Sequence, residues 1–248
     1  MLVLPGLLLF AVVSTWVGAR LVLLWWSTRQ LPELLIGIGV LGIGPLGFGA
    51  SAAAGFLAVP APGLARGLAL WGAFAASAGI MAKFVFNWRV YHPAEPWARR
   101  VAGAGIVVVT AVLAASLFVG GVHQGVEIPR WYLTRGVFQA LCLLWGAGEA
   151  VLYWDKMRRR QRLGLADPSV TNRFLLWGVA AGAAGLGTAI GVTFQLATGI
   201  PSAEVPGLLL SSSLHGLVAA IAMWLAFVPP RAYTRWVYAQ GTAASQAD

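Results

Sequence analysis

Seven apolar stretches, each long enough to cross a bilayer, follow one another along this sequence between short polar connections. They occupy residues 2–26, 34–58, 64–88, 100–121, 131–154, 173–198 and 206–229. A helix needs about twenty apolar residues to cross the hydrocarbon core of a membrane. The chain is 59% hydrophobic and only 10% charged, which a soluble domain with a water-facing surface does not tolerate. The pattern predicts an all-α integral membrane protein, a bundle of seven transmembrane helices.

The lysines and arginines predict the direction of the spans. Most of the 17 basic residues fall on the connections of one side, namely Arg29, Arg89, Arg99, Arg100, Lys156, Arg158, Arg159, Arg160, Arg162, Arg173, Arg231 and Arg235. Arg66, Arg130 and Arg135 lie on the other side, while Arg20 and Lys83 fall within spans. Because short loops rich in lysine and arginine stay in the cytoplasm, we expect the amino terminus outside and the carboxyl terminus in the cytoplasm.

The domain organisation is expected to be simple. Residues 1–230 form the seven-helix domain, and residues 231–248 form a cytoplasmic segment behind a pair of prolines. In this segment "RAYTRWVYAQG" puts Tyr233, Trp236 and Val237 on one side, which is typical of a helix lying at the membrane interface. The final "GTAASQAD" is small and polar, which predicts a disordered tail.

The connection at residues 155–173 is the most basic part of the chain. Two interpretations of its arginines remain open: they only fix the orientation, or they also contact anionic lipid headgroups or a cytoplasmic protein. Asp167 followed by Pro168 predicts the start of the sixth helix, because the carboxylate caps free backbone amides and proline suits the first helical position. Since the net charge of +9 is spread over such connections, it indicates a membrane surface and no nucleic-acid partner.

Glycine and alanine are concentrated in the second and sixth stretches. Membrane helices associate through small residues, so these two are expected to be tightly packed interior helices. Pro45 in the second stretch frees a backbone carbonyl and predicts a kink.

Charged and polar residues inside the spans predict which faces turn inward. One face of the fifth helix, at spacings of three and four, carries Arg135, Gln139, Cys142, Gly146, Glu149 and Tyr153. At a rise of about 1.5 Å per residue, Arg20, Lys83 and Glu149 lie at one depth near the cytoplasm. They predict an intramembrane charge network that ties three spans together, or a proton or ion path through Glu149.

A second polar group lies near the middle of the membrane and above it. Its members are His215, Ser211, Ser212, Gln139, Thr188 and Gln195. They predict a small cavity that opens outward between the fifth, sixth and seventh spans. Two interpretations remain open: His215 is neutral and joins helices by a hydrogen bond, or it contacts a ligand or titrates as a switch.

The sequence offers little for catalysis or for metals. His92 and His123 fall in loops, so no two histidines meet at mid-depth to hold a haem. Neither G-x-S-x-G nor H-E-x-x-H occurs. We therefore predict no catalytic residues, no metal and no cofactor, and enzymatic activity stays open.

Two resemblances add to this reading. Seven helices, an external amino terminus and an interfacial segment after the last span resemble the layout of G-protein-coupled receptors and microbial rhodopsins. A retinal Schiff base would need a lysine in span seven, yet the only lysines are Lys83 and Lys156. The stretches "TRQLPELLIG" and "LADPSVTNRFLLWG" resemble segments of uncharacterised bacterial seven-helix membrane proteins, which implies the bacterial inner membrane and supplies no activity.

Two functions fit these features. The first is a receptor-like sensor that binds a small, largely apolar ligand near His215 and signals through the basic connection to a cytoplasmic partner. The alternative is a small-solute transporter with Gln139, Thr188 and His215 as its substrate site and Glu149 with Lys83 as a proton-linked gate. Spans one to three and five to seven run in the same directions if span four is a linker, which resembles the 3+1+3 arrangement of SWEET sugar transporters.

Overall fold

Helices account for the regular structure of this protein. A computed structural model describes residues 3–118 and 133–246, and no strand occurs in these two ranges. The α-helices are α1 (Val3–Thr28), α2 (Leu31–Ile43), α3 (Ala50–Leu57), α4 (Pro62–Phe86), α5 (Pro96–Phe118), α6 (Leu133–Arg162), α7 (Pro168–Thr198), α8 (Pro206–Phe227) and α9 (Arg231–Gln246). A π-helical segment, Gly44–Gly49, joins α2 to α3, and a second, Asn87–Tyr91, extends α4. A short 3-10 turn, Ser202–Glu204, precedes α8.

Seven helical stretches are long and apolar enough to cross a membrane, which confirms the predicted number. In chain order, these first to seventh spans are Gly6–Thr28, Leu31–Leu57, Pro62–Tyr91, Pro96–Phe118, Leu133–Arg162, Pro168–Thr198 and Pro206–Phe227. The predicted connection between the fourth and fifth spans, with His123 and Arg130, lies outside the described residues. The direction of the bundle across a membrane stays a prediction. We call the end that bears residues 155–173 the basic end.

Spans that are neighbours in sequence pack against one another, and the first span also packs against the seventh, so the bundle closes on itself. The second and third spans share the most extensive contact, followed by the fifth and sixth. The third span is the most enclosed, whereas the glycine-rich and alanine-rich sixth span is the least enclosed of the seven, contrary to expectation. One side of the sixth span packs on the fifth and seventh, while Val179, Leu186 and Ile190 on it are exposed.

The second and third spans approach each other through glycine. A Cβ atom on Gly42 would lie 2.5 Å from the carbonyl oxygen of Ala75, and one on Gly79 would lie 2.8 Å from the backbone nitrogen of Ile43. Both distances are too short for real atoms, so only glycine allows the two backbones this close.

The second span departs from a regular α-helix where Pro45 interrupts it. Proline lacks an N–H and its ring crowds the preceding turn, so the normal hydrogen-bond pattern cannot continue. The structure places the π-helical segment Gly44–Gly49 at this point. A π-helical turn is one of the recognised ways in which a helix absorbs such an interruption.

The start of α7 is as predicted. The Oδ1 atom of Asp167 accepts hydrogen bonds from the backbone amides of Ser169 at 2.7 Å and Val170 at 3.2 Å, and Pro168 is the first helical residue. Because the cap ties down amides that have no partner within the helix, it fixes the end of the basic connection.

Helix α9 folds back against the ends of α6 and α7. Asn172 Nδ2 donates to the Tyr233 hydroxyl at 2.8 Å, and the Tyr238 hydroxyl donates to Oδ2 of Asp167 at 2.9 Å. Val237 is buried in the same contact. The helix continues to Gln246, into the stretch for which the composition predicts disorder.

Candidate functional site

A cleft of about 560 Å³ lies at the end of the bundle away from the basic connections. Its polar lining includes all the predicted ligand-binding residues except Ser211, namely Gln139, Thr188, Gln195, Ser212 and His215. Arg135, Ser51 and Ser202 add further polar groups. The sequence reading gave Ser51 and Ser202 no role, because they come from the second span and from the loop before the seventh.

The walls of the cleft are mainly apolar. Phe10 from the first span, Ile43 and Phe48 from the second, and Val192 from the sixth face it together with the polar groups. Sites for small molecules commonly have volumes of about 300–1,000 Å³ and combine apolar walls with a few placed polar groups. The cleft has both properties.

His215 presents one ring nitrogen to the cleft. Its Nδ1 lies 2.7 Å from the carbonyl oxygen of Ser211 and 3.4 Å from the Ser211 hydroxyl. A carbonyl oxygen only accepts, so Nδ1 holds a proton, and in the neutral form of such a ring Nε2 is the acceptor. Within residues 3–118 and 133–246, Nε2 has no hydrogen-bond partner. Ser211 therefore contributes by orienting the imidazole, although it does not line the cleft itself.

Gly187 on the sixth span makes room for this ring. A Cβ atom at that position would lie 3.1 Å from Cβ and 3.3 Å from Cγ of His215, which is tighter than ordinary packing. The absence of a side chain at Gly187 therefore sets how closely the sixth and seventh spans approach at the level of the histidine.

Gln139 and Thr188 connect the fifth and sixth spans inside the cleft. Gln139 Nε2 donates to the Thr188 hydroxyl at 3.2 Å, and that hydroxyl donates to the carbonyl oxygen of Ala184 at 2.9 Å. The Thr188 hydroxyl is thereby used both as donor and as acceptor. The carbonyl oxygen of the Gln139 side chain has no hydrogen-bond partner in the described part of the chain and remains available as an acceptor.

The polar stripe of the fifth span faces inward, as its spacing predicts. Cys142 is fully buried, and Tyr153 stacks against Phe174 and packs on Tyr91 with ring centroids 5.2 Å apart. This placement agrees with the rule that polar groups of a membrane helix turn away from lipid.

The predicted charge network does not form. Arg20 donates to the carbonyl oxygen of Phe227 at 2.8 Å, and the Lys83 ammonium lies 5.1 Å and 5.3 Å from the ring centroids of Phe86 and Trp177. Glu149 contacts neither of them. Equal depth in the bundle was therefore not enough to predict that the three side chains are paired, because they point to different neighbours around the bundle.

Glu149 pairs with His92 instead. His92 Nε2 and Glu149 Oε1 are 2.6 Å apart, and the Trp145 indole donates to the same carboxylate oxygen at 3.2 Å. The His92 ring also packs on Trp97 of the fourth span, with centroids 4.8 Å apart. The structure places His92 directly after the π-helical segment, in the loop that the sequence predicted, but the sequence did not indicate that this loop turns the imidazole toward Glu149.

Asn87 is another buried polar group that the sequence reading overlooked. It is completely inaccessible to solvent, and its Nδ2 donates to the carbonyl oxygen of Cys142 at 2.8 Å. A Cβ atom on Gly146 would lie only 2.9 Å from its Oδ1 atom, so the asparagine fits because that residue is glycine. The third and fifth spans are therefore joined by a buried side-chain amide.

Lys83 lines a second, smaller cavity of about 70 Å³ in the centre of the bundle. Its walls are almost entirely apolar and include Leu143, Trp177 and Met223. The lysine is 4% exposed and has no ion pair or hydrogen bond within the described ranges. Its aromatic neighbours supply favourable cation–π contacts and no counter-charge.

Metal ligands are not clustered in the described residues: no group of three or more histidine, cysteine, aspartate or glutamate side chains is close enough to hold an ion. Comparisons of the chain with protein-family models, with curated proteins and with solved structures found no match.

Proposed function

We propose that this protein is a receptor-like membrane sensor that binds a small, largely apolar ligand in the cleft around His215. The observation that supports the proposal is the cleft itself, in which apolar walls surround acceptors on His215 and Gln139. Such a site favours a compound with an apolar body and a hydrogen-bond donor, because a donor satisfies Nε2 of the imidazole. The proposal includes a bacterial inner-membrane location with the cleft open to the outside.

The second part of the proposal is a signal to the basic end. The fifth and sixth spans border the cleft through Gln139 and Thr188, and the basic connection at residues 155–173 joins the opposite ends of the same two helices. Movement of these helices on ligand binding would alter the surface that the connection offers to a cytoplasmic protein.

A thermal-unfolding screen of the purified protein in nanodiscs tests ligand binding. The probes are indole, substituted phenols and medium-chain alcohols, each an apolar body with a donor. A bound probe raises the melting temperature, and above Kd the rise grows with the logarithm of the probe concentration. We expect His215→Ala to weaken binding about tenfold, the effect of losing a hydrogen bond worth about 1.4 kcal/mol.

Leu214→Ala is the matched control, because this neighbouring side chain on α8 is largely exposed and does not line the cleft. It should bind the probes as the wild type does. Equal binding by His215→Ala and the wild type would contradict the site. Spin labels at Arg160 and Arg235 then test signalling, since a sensor requires the distance between them to change when the probe binds.

A proton-coupled transporter is the second candidate, and one observation favours it. A titratable pair, His92 and Glu149, lies toward the basic end while the polar cleft lies at the other end. This pair replaces the Glu149 and Lys83 gate expected from the sequence. Uptake of a cleft-binding probe into vesicles that follows an imposed pH gradient, and that is lost in Glu149→Gln, would support transport over sensing.

A further inference from the structure

A third cavity, of about 400 Å³, lies at the basic end between α6, α7 and α9. The proposed ligand-binding function does not use it. Arg158 and Arg162 form one side of this cavity, and Thr171 and Asn172 at the start of α7 form another. No carboxylate lines it. We infer that this cavity is a binding site for the headgroup phosphate of an anionic phospholipid.

The two arginines are placed to act together. They are four residues apart on α6, which puts them on the same face of the helix one turn apart. Arg158 also lies over the Trp154 ring, with its guanidinium carbon 5.5 Å from the ring centroid. Within the described residues, neither arginine is paired with a carboxylate. Two adjacent guanidinium groups offer the paired donors that match phosphate oxygens.

The two carboxylates of the basic connection are engaged outside the cavity. Asp155 is bonded to Arg159 at 2.8 Å, and this exposed pair does not line the cavity. Asp167 accepts hydrogen bonds from α7 amides and from Tyr238. The cavity therefore has a positive lining that neither carboxylate compensates.

The surroundings favour a lipid over a soluble phosphate. Trp154 and Trp236 line the cavity, and tryptophan is the residue most typical of the membrane–water boundary. Leu175, one turn further along α7, adds an apolar wall on the side of the membrane-spanning helices. Basic pockets between transmembrane helices at the cytoplasmic side bind anionic headgroups. A phosphate at the arginines would leave the attached acyl chains beside the apolar helices.

Native mass spectrometry of the full-length protein tests the inference with two lipids of identical acyl chains, phosphatidylglycerol and phosphatidylcholine. The variant Arg158→Gln/Arg162→Gln removes the proposed ligands. Its matched control, Arg159→Gln/Arg160→Gln, removes the same charge from the same helical turn outside the cavity. We expect the first variant to bind phosphatidylglycerol at least tenfold more weakly, and the control to stay within twofold of the wild type.

A third variant, Arg158→Lys/Arg162→Lys, keeps the charge and loses the paired donors, so its affinity should lie between the wild type and the glutamine variant. Circular dichroism and gel filtration establish that each variant is folded. Equal loss in both glutamine variants would overturn the site in favour of diffuse attraction, as would no loss in either. If inorganic phosphate raises the melting temperature as much as phosphatidylglycerol does, the assignment to lipid is wrong.

Discussion

His92 and Glu149 are held 2.6 Å apart across the bundle, although they are separated by 57 positions in the sequence. The contact joins the end of the third span to the fifth, and the Trp97 ring brings the fourth span to the same place. The salt bridge between Arg159 and Asp155, found in residues 3–118 and 133–246, lies within one helix. The hydrogen bond between His92 and Glu149, in contrast, links separate spans.

Removal of the histidine from this pair should lower the free energy of unfolding. In His92→Ala the partly buried Glu149 carboxylate keeps the Trp145 hydrogen bond and loses its closest partner, so we expect a loss of about 1–3 kcal/mol in the free energy of unfolding. Denaturant titration in detergent micelles measures the change. Arg159→Ala serves as the control, because an exposed pair of this kind contributes about 0.5 kcal/mol or less. Equal losses in the two variants would contradict a structural role for the interhelical pair.

For Lys83 we predict the opposite effect, because its replacement should raise the free energy of unfolding. The amino group of Lys83 has lost its hydration without gaining a carboxylate, and the Phe86 and Trp177 rings compensate only in part. Lys83→Met keeps the length of the side chain and removes the amino group, so we expect the free energy of unfolding to rise by about 1–3 kcal/mol. Lys156→Met at the exposed lysine should change the free energy of unfolding by less than about 0.5 kcal/mol. A destabilised Lys83→Met variant would show that the ammonium is needed in the folded state.

The fit between Gly187 and His215 gives a third prediction. Gly187→Ala puts a methyl group against the imidazole, and we expect a loss of about 1–3 kcal/mol as the sixth and seventh spans move apart. Gly182→Ala on the same helix meets only the Ala147 side chain, at an ordinary 3.7 Å. It should be neutral or stabilising by up to about 1 kcal/mol, because alanine favours the helix. Similar melting temperatures for the two variants would contradict the described packing.

The contact between α9 and the start of α7 should depend on pH. Desolvation acts to raise the pKa of Asp167, but hydrogen bonds from Tyr238 and from the amides of Val170 and Ser169 outweigh it, and the pKa lies below its ordinary value. A carboxyl group whose pKa is lowered on folding adds stability above its unfolded pKa, near 4, and this stability is lost as the pH falls through the folded pKa. We therefore expect α9 to loosen as the solution becomes more acidic than about pH 4.

Tyr238 sets the alkaline limit of the contact between α9 and the start of α7. The hydrogen bond to Asp167 raises the pKa of Tyr238. Its stabilisation is present below the unfolded pKa, near 10, and is lost as the pH rises through the folded pKa. Hydrogen exchange of the α9 amides measures both limits. Tyr238→Phe should exchange faster at neutral pH and respond less to acid, and an unchanged acid response in this variant would contradict the prediction.

Much of the fold was predictable because local chemistry determines it. The seven spans follow from apolar length, the start of α7 from Asp167 and Pro168, and the inward face of the fifth span from its polar spacing. The cleft residues were also predictable, since Gln139, Thr188 and His215 have few alternatives to facing one another in an apolar bundle.

The partners of the charged residues were not predictable from depth alone. Depth along a helix says nothing about direction around it, so Arg20, Lys83 and Glu149 could share a level without meeting. The pairing of Glu149 with His92 also depends on the π-helical segment Asn87–Tyr91. This segment contains no proline, so the sequence gives no signal from which it could be predicted. Asn87 lies within the predicted third span, 64–88, and its bond to the carbonyl oxygen of Cys142 depends on direction around the helix in the same way.

The fifth and sixth spans are unbroken helices of 30 and 31 residues that line a cavity at each end of the molecule. Each is a stiff rod about 45 Å long, so a tilt of only about 5° at one end displaces the other by roughly 4 Å. Such a rigid tilt requires no unfolding and no change in the hydrogen bonds along the helix. A rigid tilt of either helix would therefore displace the lining of both cavities together.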